Sequence, residues 1–177
     1  MKLSLNGLSL TKKDIRKINR ALFFIIKLNI FLIPLYVISI FQLNWFFLQK
    51  SVAVIVHWLL NISGVFSSLN GVQISIPLAS GSFSGFINWD CTAWKSIIAF
   101  LALLIASNIR NFKAYLLVFL VFLVNIFRIW LVFYLTFLTD ANYFSLIHNT
   151  LFSFGMIVTV LLLWAVSFKV FKKRESD

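Results

Sequence analysis

Apolar positions dominate the chain from residue 21 to residue 168, broken by short polar gaps. Residues 21–41 (ALFFIIKLNIFLIPLYVISIF) are long enough to span a bilayer as a helix. Pro34 within them predicts a kink, and Lys27 lies near one end, where its head can snorkel to the interface. Residues 45–68 form a second apolar run, but a striped one. Lys50, His57, Asn61, Gly64 and Ser68 stand seven, four, three and four apart, which places one narrow polar face on a helix. Residues 69–90 change character. VQISI and FSGFINW are short alternating runs separated by a Ser/Gly segment, which predicts a β-hairpin. Three further apolar runs follow, at about 92–106, 114–137 and 147–168.

Charge orients these runs. Residues 1–20 carry Lys2, Lys12, Lys13, Arg16, Lys17 and Arg20 against Asp14, and predict a cytoplasmic segment with a short interfacial helix. The segment SNIRNFK holds Arg110 and Lys113, and the tail 171–177 is basic again. The gap TFLTDANYFS holds Asp140 and no basic residue. All three basic segments belong on the cytoplasmic side. An even number of crossings must then separate the N-terminus from Arg110, although three apolar runs lie between them. The striped run 45–68 is the one expected not to cross, resting on the outer surface or against the bundle. The expected fold is an all-α polytopic membrane bundle with four full spans, one partial or interfacial amphipathic helix and a small extracytoplasmic hairpin. The expected organisation is a basic segment 1–20, one transmembrane domain 21–170 and a basic tail 171–177.

Composition supports a membrane solvent over water. The chain is 61% hydrophobic and 18% aromatic, with 12% charged residues; soluble domains carry about 25% charged residues. Sixteen Lys and Arg against five Asp and Glu give a formal charge of +11. A soluble chain so basic would point to nucleic acid, but here the cations flank apolar runs, so no nucleic-acid partner is expected. The first twenty residues are polar and basic, and no small-residue cleavage site follows, so they do not read as a signal peptide. One cysteine excludes an internal disulfide and paired-thiol redox chemistry. No metal-ligand cluster or Gly-rich phosphate loop is present in the sequence, so no cofactor is expected.

Three polar residues then stand out at one depth. Cys91 sits at the outer start of run 92–106, and His148 at the outer start of run 147–168. Arg128 lies roughly ten residues, or ~15 Å, below the outer end of run 114–137, less the ~6 Å its side chain can reach upward. An arginine within a span costs at least ~2.5 kcal/mol, and no run contains an acid to pair with it. Asn125, one turn away, can hold the guanidinium. A helix starting at Asp90 or Cys91, with Asp90 as its N-cap, would put the thiol at a positive helix end. Lys95 one turn on would add to this, and both would lower the thiol pKa. A thiolate attacks carbonyl carbon, an imidazole moves the proton, and a guanidinium steadies the oxyanion. His57 lies on the polar stripe and reads as structural. Each of these residues also has a bland reading: a packed thiol, an interfacial histidine, a snorkelling arginine.

The ordered set DCTAWKS, VNIFRIW and IHNTLF, after a β-like segment, resembles the archaeosortase/exosortase family over about residues 69–165. The family pattern is Cys, then Ser or Thr, then usually Gly; Asn-x-x-Arg within a helix; and a later His. Cys91-Thr92, Asn125 with Arg128, and His148 fit it, while Ala93 stands where Gly is usual. The resemblance implies a protein-sorting cysteine transpeptidase of the cell membrane, with its active site outside. Such an enzyme cleaves secreted substrates bearing a C-terminal motif, a transmembrane helix and a basic tail. It passes the acyl group to an acceptor, with a membrane lipid among the acceptors the family suggests. Two other readings compete: a non-enzymatic scaffold or transporter subunit with an assembly or gating arginine, and a membrane acyltransferase using His148 with Cys91 incidental.

Overall fold

The computed structural model describes residues 3–5, 8–10, 12–41, 45–79, 81–139, 141, 144, 146, 148 and 154–172. They are mostly helical. In chain order the elements are strands β1 (Leu3–Leu5) and β2 (Leu8–Leu10), helices α1 (Lys12–Ile40) and α2 (Phe46–Ile62), strands β3 (Ser68–Asn70), β4 (Gln73–Leu78) and β5 (Gly81–Phe86), a 3-10 turn (Trp89–Thr92), and helices α3 (Trp94–Ala106), α4 (Phe112–Thr139) and α5 (Met156–Ser167). A π-helical turn, Phe168–Lys172, ends the described chain.

Among the described residues two helices are long and apolar enough to cross a membrane, α1 and α4. At 29 and 28 residues each runs about 42 Å, longer than a ~30 Å hydrocarbon core. The helices α2, α3 and α5 are apolar but shorter, with 17, 13 and 12 residues. The expectation of four spans is therefore met in full length by two helices; Asp140 lies outside the described residues.

The N-terminal segment differs from expectation. An antiparallel pair, β1 with β2, comes first, and α1 then runs unbroken from Lys12 across residue 20, where the basic segment was expected to end, and past Pro34. Lys and Arg are good helix formers, so a basic stretch marks a membrane edge without stopping a helix.

The expected hairpin is present and has a third strand. The sheet order is β3-β4-β5, all antiparallel. Ile74 and Ile76 on β4 point into the core, while Ser75 on the other face bonds Ser84 across the ladder at 2.7 Å. This is the alternation of a sheet with one covered face. Pro77 pairs only with Ser82 of β5, beyond the reach of β3, where its missing N–H costs no ladder bond.

Two apolar clusters hold the bundle. The first joins Val52, Val56 and Leu60 of α2 to Ile74 and Ile76 of the sheet, and to Cys91, Ile126, Ile129 and Phe133. The second joins Ala93, Phe100 and Leu104 to Ala114 and Val121 of α4 and to Met156 and Val160 of α5. Helix α4 contributes to both, and the step from Cys91 to Ala93 crosses from one to the other. The polar stripe of α2 ends in a local network. His57 Nδ1 lies 2.7 Å from Ser67 Oγ, and Asn61 Oδ1 accepts from the Ser67 amide at 3.0 Å. His57 thus secures the turn from α2 into the sheet, the structural role expected of it.

Candidate active site

The segment that carries Cys91 is short and tightly bonded. Asn88 is extended, and its side-chain oxygen accepts from the Cys91 amide at 3.1 Å. Thr92 Oγ1 donates to the Trp89 carbonyl at 2.9 Å, closing the 3-10 turn. Ala93 then turns left-handed at φ 64°, and α3 begins only at Trp94. Trp89 and Trp94 stack across this corner, 5.4 Å between ring centroids.

Three expectations are corrected here. Asn88, not Asp90, caps the turn. Helix α3 begins at Trp94, with Thr92 and Ala93 between it and Cys91, so the thiol is not on its first turn. Lys95 pairs with Asp90 at 2.7 Å and so neutralises a carboxylate next to the thiol. Burial therefore dominates. It pushes the Cys91 thiol above its ordinary range, and Asp90 adds to this; hydrogen bonding at Asn88 and the Arg128 charge pull it back in part. Left-handed backbone costs a Cβ-bearing residue about 1 kcal/mol that glycine does not incur. That gives the glycine usual at this point of the resembled pattern a physical reason, and Ala93 bears the strain here.

Helix α4 supplies the other wall. Asn125 is 1% exposed, and its Nδ2 donates to the Cys91 carbonyl at 2.7 Å. It thereby fixes the Cys91 backbone, a link to this loop that the sequence did not reveal. Arg128, one turn on, is 8% exposed and Cys91 7%. The Arg128 charge favours the thiolate form of Cys91.

Cys91, Arg128 and His148 line one cavity of about 50 Å3, walled otherwise by Ile87, Phe133, Phe144 and their neighbours. This is room for about one or two waters. Thr92 and Lys95 do not line it. Arg128 also borders a second cavity of about 300 Å3, with Asp90, Lys95, Ser96 and Asn125. A larger cavity of about 810 Å3 elsewhere contains none of these residues.

An aromatic relay that sequence reading missed reaches His148. Phe133 meets Phe83 of β5 edge-on at 6.1 Å, Phe83 meets Phe144 at 4.6 Å, and Phe144 stacks on His148 at 5.3 Å. The sheet so supports the imidazole through ring contacts. Gly85 makes this possible, because a Cβ there would lie 2.8 Å from the Phe133 ring. Phe83 and Gly85 are two apart on one face of β5, and Phe144 and His148 are four apart, spacings that could have signalled the relay.

Arranged so, the site has a thiol, an imidazole and a guanidinium around one small space, walled mainly by apolar side chains. No curated protein and no solved structure matches the chain. A family model described as transmembrane exosortase (Exosortase_EpsH) matches residues 4–166, nearly the whole length. This chain therefore belongs to the transmembrane exosortase family.

Proposed function

We propose that the protein is a membrane-embedded cysteine transpeptidase. It cleaves a C-terminal sorting signal from secreted proteins and transfers the acyl group to an acceptor, a membrane lipid being one candidate. The carrying observation is that Cys91, Arg128 and His148 line one cavity in a chain of this family. Burial raises the pKa of the thiol and so favours its protonated form in the resting site. His148 therefore removes the proton as Sγ attacks the scissile carbonyl, so no standing thiolate is required. The C–S bond forms, and the carbonyl electrons move onto oxygen, where Arg128 stabilises them. Collapse expels the signal peptide's amine, which takes the proton from His148 and leaves a thioester on Cys91. The acceptor's N–H or O–H gives its proton to His148 and attacks the thioester; the C–S bond breaks, and His148 returns the proton to sulfur, restoring the thiol. A space of about 50 Å3 is too small for a peptide, so substrate entry must widen it.

The proposed orientation places the N-terminus, the Arg110 loop and the tail in the cytoplasm, and the sheet with Cys91 outside. Four crossings through α1, α3, α4 and the α5 region fit this charge pattern. The packing of α2 against the sheet supports α2 as the element that does not cross.

The test is co-expression with a secreted protein from the same genome that ends in a transmembrane helix and a basic tail, carrying a C-terminal tag. Wild-type enzyme should release the tag. Cys91→Ala should abolish release, and His148→Ala should reduce it nearly as far, with both proteins present in membranes at normal abundance. Unchanged release by Cys91→Ala sinks the proposal.

A further inference from the structure

The cavity of about 810 Å3 has no part in the chemistry above. It lies between the N-terminal half of α1, the C-terminal end of α3 and the end of α5. Arg16 and Arg20, one helical turn apart, line one side, and Asn19 and Asn108 add amide groups. Among the described residues no carboxylate lines it. The Leu103, Leu104 and Ile105 carbonyls of α3 are bonded by the Ser107, Ile109 and Asn108 amides, while Arg16 and Arg20 each donate Nε to a carbonyl one turn back in their own helix, at 3.3 and 3.4 Å. Phe23, Phe24, Trp164 and Phe168 complete an apolar side.

This cavity is built from cross-element bonds. Lys27 Nζ donates to Asn108 Oδ1 at 2.6 Å, holding a residue that is itself left-handed at φ 53°. Trp164 Nε1 donates to Ser107 Oγ at 2.8 Å, and its ring meets Phe24 at 6.3 Å. Two guanidiniums beside an aromatic wall suit a phosphodiester with acyl chains. The helix they come from buries no residue, so it has the most to gain from a molecule that bridges it to the bundle.

We infer that this cavity binds an anionic phospholipid, with its phosphate between Arg16 and Arg20 and its chains along Phe23, Phe24 and Trp164. A basic peptide is disfavoured there by the same two charges. The inference is independent of the chemistry proposed for Cys91; only the choice of the cytoplasmic leaflet leans on the proposed orientation.

The experiment follows thermal unfolding of the full chain in neutral detergent with three probes: phosphatidylglycerol, phosphatidylcholine and inorganic phosphate. Phosphatidylglycerol well above its dissociation constant should raise the melting temperature by about 5 °C, and the other two by less than about 1 °C. The double variant Arg16→Gln/Arg20→Gln should lose that shift. Lys12→Gln/Lys13→Gln, which removes equal charge from the same helix outside the cavity, should keep it. A shift retained without the arginines, or lost equally without the lysines, overturns the site. A comparable shift from inorganic phosphate overturns the lipid. Should the double arginine variant melt early in phosphatidylcholine, native mass spectrometry of the single variants decides instead. Each must retain less phosphatidylglycerol than wild type, and equal retention counts against the inference.

Discussion

Helices α1 and α4 are close in length and both are apolar enough to cross a membrane, yet the apolar window of α1 is 0% buried and that of α4 is 39% buried. Hydrophobicity does not separate them. What separates them is where the small and polar residues stand. The buried positions of α4 include Ala114, Asn125, Arg128 and Thr136, which share one face of the helix. Polar groups in lipid must face protein, and small ones let helices approach. The polar residues of α1 find other outlets. Asn29 bonds its own helix at the Ile25 carbonyl, and Lys27 reaches Asn108. Helix α4 is the spine that carries the site, while α1 leans on the bundle from outside.

The sharpest way to break this contrast is at Arg128. If it serves only to hold α4 in the bundle, lysine should replace it, since one long cation substitutes for another. If it steadies an oxyanion, the planar pair of donors matters and an ammonium cannot copy it. Arg128→Lys should lower tag release about 100–1,000-fold with membrane abundance unchanged. Near wild-type release would remove Arg128 from the reaction and return α4 to a structural role.

Why these residues were legible in sequence, and others not, follows from the same physics. Cys91, Arg128 and His148 are polar groups at sites where lipid-facing chain would be apolar, so each announces itself. The sheet showed through its alternation in VQISI and FSGF. The first hairpin had its own signal, LSL-NG-LSL, a turn dipeptide between alternating runs. The basic charge around it masks that signal. The corner at Ala93 was not legible, because Asn88 and Asp90 are both good caps and only tertiary packing chooses between them. Nor was the bond from Asn125 to the Cys91 carbonyl, which joins residues far apart in sequence.

Gly85 tests how the sheet presses on α4. Adding a methyl group there forces the Phe133 ring to move, at a cost of about 1–3 kcal/mol. Gly85→Ala should lower the melting temperature by several degrees and slow tag release, because Phe133 also walls the cavity. Phe133→Leu shortens the clashing ring. The double variant should therefore melt closer to wild type than the sum of the two single changes predicts, and strict additivity would show that the two residues do not press on one another.

A smaller effect reads the electrostatics between the two walls of the site. An anionic, membrane-impermeant methanethiosulfonate reacts with thiolate, so labelling of Cys91 in intact cells should rise about tenfold per pH unit below its pKa. Asp90 holds the thiol up and Arg128 pulls it down. At one pH, Asp90→Asn should label faster than wild type and Arg128→Gln slower. The reverse order would contradict the electrostatics, and labelling only after the cytoplasmic face is opened would invert the orientation.

The smallest effect is the most direct test of the comparison itself. Val121 of α4 is 0% exposed, and Val37 of α1 is 41% exposed. Both are valines in long apolar helices, so truncation to alanine removes the same two methyl groups from each. In water the buried valine would lose hydrophobic transfer and packing together. In a bilayer lipid is as apolar as protein, so what remains is the dispersion attraction forfeited around a void that lipid cannot fill. Val121 packs among Phe100, Leu104 and Val160, which cannot collapse fully onto the gap. Val121→Ala should cost about 1–2 kcal/mol. At Val37 lipid chains close over the missing methyls, so Val37→Ala should cost less than about 0.5 kcal/mol. Thermal unfolding of both variants in the same lipid measures the difference. Equal losses would mean that α1 is packed as firmly as α4, by a partner molecule on its exposed face, and the division into spine and outer helix would fail.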